Sequence, residues 1–306
     1  MANKVVILGS LNVDTILRIK RVPQPGETLQ MNDRSSAAGG KGANQAVAAA
    51  RAGAETSFIG QVGNDDAGKF MIESLKDDNV DTSGINVDTG SGTGSAYIFL
   101  DENGQNSILV YGGANQKVTE TEVNNAAEQI KNADFVVTQF ETPQKTAIAA
   151  FKLAKESGAI TILNPAPASE MLPELLELSD IVVPNETESA SLTGIEVTDE
   201  ASMVENATAF AKLGVKNLII TVGSKGAFYS TEDGQHDFVP AFKVDAVDTT
   251  AAGDTFIGAL SSQLKKDLSN IKEALTFAQR ASSITVQRLG AMPSIPTKAE
   301  IEAASK

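Results

Sequence analysis

The sequence predicts an α/β fold: a doubly wound, largely parallel sheet sandwiched by helices, with a small antiparallel β lid inserted into it. Three observations carry that expectation. Short Val/Ile-rich runs alternate with longer amphipathic stretches from about residue 55 onward. The runs are near-continuous, as expected of strands covered on both faces. Two segments, about 12–36 and 92–112, break this rhythm and read as half-exposed strands.

In chain order, V-V-I-L-G at 5–9 opens the fold as a buried strand, and 11–31 alternates polar and apolar residues around V-P-Q-P-G-E-T. Residues 56–62 read as a strand and 65–77 as a helix with Phe70, Met71 and Leu75 on one face. Two strands in 94–111 are joined by the turn Asp101-Glu102-Asn103-Gly104. A strand at 133–139, a helix at 143–157 opened by Pro143 and a strand at 159–163 follow. Residues 181–183 and 218–222 continue the strands, separated by a helical pattern at 201–213. Residues 242–247 look strand-like and lead to an apolar-periodic helix at 255–264. The irregular strands cannot build a core of their own, so they read as a lid on a single domain spanning 1–306. No linker or internal repeat divides the chain.

Composition removes several chemistries. Cysteine is absent and His236 is the sole histidine, so disulfides, thiolate metal sites, cysteine nucleophiles and two-histidine zinc motifs are excluded. His236 sits among the turn-forming residues 231–237 and reads as a solvated hairpin residue. With 25 Lys+Arg against 39 Asp+Glu the net charge is −14, which argues against a duplex-binding surface. No apolar run approaches the ~18 residues of a membrane span, and the first residues lack the pattern of a secretory signal. The expectation is a soluble cytoplasmic protein without nucleic-acid or membrane partners.

P-loop and dinucleotide fingerprints are missing, since Gly40-Lys41 runs on to Gly42 and Gln45. The most informative segment is D-T-T-A-A-G-D-T-F at 248–256. Ala251, Ala252 and Gly253 would present backbone N–H groups to an anion at a helix start, with Asp254 beside it. An ordinary N-cap aspartate is the alternative. The second segment, A-G-G-K-G-A-N-Q-A-V-A-A-A-R-A-G at 38–53, places glycines before a small-residue helix. Either a ligand or a packed neighbour would make use of that close backbone approach. Asn185-Glu186-Thr187-Glu188 reads as a helix start. Lys20, Arg21 and Arg34 read as solvated lid charges.

Together the two glycine- and alanine-rich blocks resemble the paired signatures of the ribokinase/fructokinase family of sugar kinases. Supporting pieces occur in order across essentially the whole chain: G-S-L-N-V-D at 9–14, P-Q-P-G-E-T at 23–28, Q-F-E-T-P at 139–143, P-N-E-T-E at 184–188, T-V-G-S-K-G at 221–226 and R-L-G-A-M-P-S at 288–294. The resemblance implies ATP-dependent phosphorylation of the 5-hydroxyl of ribose. Asp254 would be the general base, and Ala251, Ala252 and Gly253 the anion hole. Asn12, Asp14, Gly40, Lys41, Asn44 and Glu141 would bind the sugar, with carboxylates and amides suited to a neutral polyol. Asn185, Glu188, Thr221, Gly223, Ser224, Gly226, Gly253 and Gln279 would serve ATP, with Mg²⁺ held mostly through waters.

It further implies a K⁺ site at Asp248, Thr250, Thr285, Arg288, Gly290 and Ser294, several of them acting through carbonyls. Sugar binding would close the lid, and the lid strands would pair in a homodimer. Alternatives in the same fold are a kinase for fructose, a deoxysugar or a nucleoside, and a sugar-binding regulator without catalysis. Few aromatics in the lid speak against a nucleoside.

Overall fold

The computed structural model describes residues 2–102 and 105–305. The chain begins with β1 (Lys4–Leu8), lid strands β2 (Asn12–Arg18) and β3 (Asp33–Gly39), α1 (Lys41–Arg51), β4 (Glu55–Gly63), α2 (Asp66–Asp77) and β5 (Asp81–Asp88). The lid returns as β6 (Gly94–Leu100) and β7 (Asn106–Tyr111), followed by α3 (Glu120–Asn125) and α4 (Ala127–Lys131). Next come β8 (Phe135–Thr138), α5 (Gln144–Ser157), β9 (Ile160–Leu163), α6 (Pro173–Glu177), β10 (Ile181–Val182), α7 (Glu186–Thr193) and α8 (Glu200–Lys212). Then β11 (Asn217–Val222), β12 (Gly226–Ser230) and β13 (His236–Pro240) precede α9 (Ala252–Gln263), α10 (Ile271–Thr285) and α11 (Lys298–Ala304).

The main sheet has the order β13-β12-β11-β10-β9-β8-β1-β4-β5. It is parallel from β11 to β5 and ends in the antiparallel β12–β13 hairpin. β1 shows why its apolar run is continuous. Val5 and Ile7 enter the layer formed with α1, α9 and α10, while Val6 and Leu8 enter the opposite layer formed with α3, α4 and α5. From β1 the chain winds to β4 and β5 on one side and to β8 through β11 on the other. The crevice beyond the carboxyl ends of β1 and β8 is therefore the topological switch point, where open α/β sheets bind their ligands.

The lid sheet has the order β3-β2-β6-β7. β2 is antiparallel to β3 and β6 to β7, while β2 and β6 run parallel where the two insertions meet. Of the expected lid turn, Asn103 and Gly104 lie outside the described residues.

Two local expectations are corrected. Residues 242–247 form no strand; Phe242 is instead held under the Arg280 guanidinium, 3.4 Å from its ring centroid. The helix expected to begin at residue 255 starts at Ala252, so Asp254 is inside its first turn and is no N-cap. β3 (D-R-S-S-A-A-G) and β5 (D-T-S-G-I-N-V-D) contain few β-formers, and their conformation comes from pairing with β2 and β4. His236 opens β13 at the surface, its ring 6.1 Å from that of Phe228. Among the described residues no helix is long and apolar enough to cross a membrane.

Candidate active site

The site depends on how closely two helices and a strand end approach one another. A Cβ at Gly258 of α9 would lie 2.5 Å from the Gln45 carbonyl oxygen and 2.7 Å from Ala49 N, both on α1. A Cβ at Gly42 would lie 2.5 Å from Ser10 N and 2.7 Å from Gly9 Cα, beyond the end of β1. Glycine at both places lets α1 lie directly on backbone, and the small residues of 38–53 are thus packing residues as well as site residues. The N-terminal amides of α1 are already capped. Lys41 N donates to Glu141 Oε2 (3.0 Å), Gly42 N to Ser10 Oγ (3.2 Å) and Ala43 N to Ser10 O (3.0 Å).

This packing brings α1 side chains onto Asp254, which is 8% exposed. Asn44 Nδ2 donates to its Oδ2 (3.0 Å) and Gln45 Nε2 to its Oδ1 (3.1 Å). Burial pushes the Asp254 carboxyl above its ordinary range, against the pull of Lys41 and the two amides. A carboxyl whose proton affinity is raised by burial, yet whose two oxygens are held by donors, suits a general base.

On the lid side, Asp14 projects from β2 over Gly39, where an added Cβ would lie 2.1 Å from its Oδ2. Burial, then Glu141 and Asp254, pushes its pKa up to about 7. Asn12 Oδ1 is taken by Asn115 Nδ2 (2.8 Å), which leaves the Asn12 amide hydrogens as its open donors. Glu141 Oε2 also accepts from Ser10 Oγ (2.5 Å). Asn44 Oδ1 is buried and has no protein donor. Gly40, at φ 93°, turns the chain from the lid into α1. Acceptors from four segments thus converge at the switch point.

Next to Asp254 a cavity of ≈ 210 Å³ is lined by Lys41, Asn164, Asn185, Glu188, Thr221 and residues 251–254, among others. Ala251, at φ 60°, takes the left-handed conformation, a strain on the order of 1 kcal/mol for a non-glycine residue. Its twist curls the α9 N-terminus into a concave group of amides. The Ala252 N–H is engaged by the Thr249 carbonyl (3.2 Å), which takes Ala252 out of the expected donor set and leaves the N–H groups of Ala251, Gly253 and Asp254 open. Gly253 has open space where a Cβ would stand.

Lys41 also borders this cavity. Burial would lower its pKa, but Asp254, Glu141 and Glu188 outweigh burial and keep it charged.

Asn185 and Glu188 form a reciprocal capping box on α7. Asn185 N donates to Glu188 Oε2 (2.9 Å) and Glu188 N to Asn185 Oδ1 (2.8 Å). The helix-start reading holds, and the same residues line the cavity. Thr221, next to last in β11, bridges to Asn185, and Gly223 and Ser224 lie in the turn that leads to Gly226. Gln279 is buried on α10, one turn before Ser282, whose Oγ donates to Ala252 O (2.8 Å).

A loop cluster lies next to α9. Asp248 Oδ1 accepts from Thr250 N and Oγ1, and its Oδ2 from Gly290 N (2.9 Å). Burial works against that anion, but these donors hold its pKa below the usual carboxylate range. Arg288 donates from its guanidinium to Glu300 (2.7 Å) and toward the Ser294 carbonyl (3.5 Å), while its N–H bonds the Thr285 carbonyl (3.0 Å). Thr285 Oγ1 is buried against Thr255 (3.1 Å).

Ser10, Gln45, Asn115, Gln139 and Asn164 escaped the sequence reading. Each acts on another site residue by a hydrogen bond, and no local pattern announces such a partner.

A buried carboxylate beside the free N–H groups of a helix start, at the switch point of a doubly wound sheet and beneath a β lid, is the arrangement of a phosphoryl-transfer enzyme of the α/β class. Residues 2–298 match the model of the pfkB family carbohydrate kinases, and the chain belongs to that family. It is 50% identical over 302 residues to the ribokinase of Staphylococcus aureus, covering 98% of this chain and 99% of that one. It is 52% identical over 299 residues to a bifunctional ribokinase/ribose-5-phosphate isomerase A of Fructilactobacillus sanfranciscensis, covering 97% of this chain and 55% of that relative's length. The Arabidopsis thaliana ribokinase complexed with ribose and ATP superposes with a TM-score of 0.94 at 34% identity, over 100% of this chain and 99% of the other.

Proposed function

We propose that this chain transfers the γ-phosphoryl group of ATP to the 5-hydroxyl of ribose. The observation that carries the reading is the placement of Asp254 between two kinds of surface: hydroxyl-binding groups on the lid side and open backbone amides on the other. Asp14, Glu141, the Asn12 amide and the orphan Asn44 oxygen match the donors and acceptors of a neutral polyol. Asp254 takes the proton of the attacking hydroxyl, while the Gly253 and Asp254 N–H groups and Lys41 receive the charge of the transferring phosphoryl. Relatives named ribokinase at up to 50% identity over nearly the full chain support ribose as the acceptor.

Asn185, Glu188, the turn at 223–226 and Gln279 are proposed to hold ATP. Mg²⁺ would neutralise phosphate charge. Both Glu188 oxygens are occupied by Asn185, which fits contact through metal-bound waters better than direct ligation. No cluster of three or more acidic or histidine ligands exists among the described residues, consistent with a metal carried mainly by the phosphates. Asp248, Thr250, Thr285, Arg288, Gly290 and Ser294 would form the K⁺ site, whose carbonyl oxygens suit a weakly bound monovalent ion. The lid would exclude water during transfer. Its edge strand β7 exposes Ile108, Leu109, Val110 and Tyr111, each more than half exposed, and that supports a homodimer formed through the lid.

The direct test is phosphate transfer from ATP, with Mg²⁺ and K⁺ present, to ribose, deoxyribose, fructose and adenosine. Ribose is expected to give the highest kcat/KM; preference for any of the others defeats the assignment. A deoxyribokinase of Salmonella typhi at 35% identity makes deoxyribose the informative competitor.

The pKa of about 7 at Asp14 gives a second expectation. Hydroxyl donors favour the ionised carboxylate, so sugar binding lowers that pKa and releases a proton. Affinity therefore rises with pH below 7 and levels off above it. The KM for ribose should fall between pH 6 and about 8, and Asp14→Asn should flatten this dependence while raising KM throughout. A KM with the same pH profile in both proteins would remove Asp14 from sugar binding.

A further inference from the structure

We propose that Gln45 is a positioning residue for the base, one end of a polarised chain of buried amides that keeps a hydrogen-bond donor facing Asp254. The inference rests on the reading of Asp254 as general base. The polarity of the chain is set at a backbone carbonyl. Val183 O can only accept, so Asn164 turns its NH₂ toward it (3.0 Å) and presents Oδ1 to Gln45. Gln45 must then present its own NH₂, one hydrogen going to Asn164 Oδ1 (3.2 Å) and the other to Asp254 Oδ1 (3.1 Å). The remaining Gln45 oxygen accepts from Gln139 Nε2 (2.6 Å).

A flipped Gln45 would set oxygen against the Asp254 carboxylate, oxygen against Asn164 Oδ1 and NH₂ against Gln139 NH₂. Three contacts would turn repulsive together, so one orientation is enforced. Gln45 and Gln139 are at most 1% exposed, which leaves no solvent to compete. The arrangement leaves Gln139 Oε1 buried with no partner beside Gly9. An unsatisfied buried oxygen is a cost, and an apolar side chain would fill the space without it. The cost is offset only if the Gln139 NH₂ is needed at Gln45.

The consequence lies in proton affinity and aim. Asp254 faces Lys41 from α1, Glu141 from the end of β8, Asp14 from β2 and Glu188 from α7. Lys41 favours its ionised form and the three acids oppose it. The Gln45 amide sides with Lys41 and fixes one carboxylate oxygen, while Asn44 fixes the other. Without Gln45 the base would hold its proton to higher pH and rotate within the cavity.

The test is the pH dependence of kcat in Gln45→Met and Gln139→Met. Gln45→Met should lower kcat at neutral pH roughly tenfold and move the acid limb to higher pH. The KM values for ribose and ATP should stay within about twofold, since Gln45 touches neither in this reading. Gln139→Met reaches Asp254 only through Gln45 and should move the limb the same way by less; it also decides the matter if Gln45→Met does not fold. An acid limb at the parent position in the folded variants overturns the proposal. Asp254→Asn in the same assay separates the two levels: if it turns over normally, the base reading itself fails. If it is inactive while the glutamine variants titrate as the parent does, only the role of Gln45 fails.

Discussion

Asp254→Asn is expected to lower kcat by roughly 10²–10⁴, the usual contribution of a positioned general base, with the KM for ribose changed much less. The variant should remain folded, because Asn occupies the same volume at the α9 start. Its stability should also respond differently to pH. Burial raises the parent carboxyl above its unfolded value, so the native state holds a proton that the unfolded chain has already lost. Parent stability therefore falls as pH rises from the ordinary Asp value through the raised one. Asn has no proton to lose, and thermal unfolding at pH 5 and pH 8 should show a smaller difference in the variant. Full turnover by Asp254→Asn would show that the hydroxyl proton leaves by another route.

Gly258→Ala sets two general rules against each other. In an exposed helix interior, replacing glycine by alanine stabilises by about 1 kcal/mol. At Gly258 the new methyl would stand 2.5 Å from both Ala48 Cβ and the Gln45 carbonyl oxygen, the latter on backbone that cannot swing aside. Overpacking of this kind costs about 1–3 kcal/mol and should outweigh the helix term. The same displacement moves α1 off α9 and separates Asn44 and Gln45 from Asp254. We expect a lower midpoint in denaturant together with a loss of kcat, whereas Gly253→Ala, with open space at its Cβ, should leave stability nearly unchanged. A Gly258→Ala protein more stable than the parent would show that the helices part freely.

Much of this was legible beforehand where the cause is local. Val5 to Leu8, buried on both faces, announced a central strand through an unbroken apolar run, and the apolar spacing of 65–77 announced α2, which the structure starts at Asp66 with Asp65 as its cap. Asp254 and the small residues before it stood out because an anion hole needs a particular backbone that only certain residues allow. Other features had no local cause to read. β3 is extended because β2 pairs with it, and residues 242–247 gave up the strand suggested by their composition because Phe242 is held by Arg280 on α10.

The sequence by itself determined the α/β class, the lid insertions, the absence of thiol and histidine chemistry, and the carboxylate that would act as base. Each follows from residue type or from periods of a few residues. Only the tertiary structure decided which groups reach that carboxylate. Gln45 meets Asp254 across 209 residues of chain, and Gln139 meets Gln45 across 94. It also decided that Lys41 borders the cavity at the start of α9, and that Glu141 and Ser10 cap α1 as well as facing the crevice. Side-chain orientation and proton affinity depend on what is packed nearby and on how little water remains, and neither quantity exists until β1, α1 and α9 are brought together.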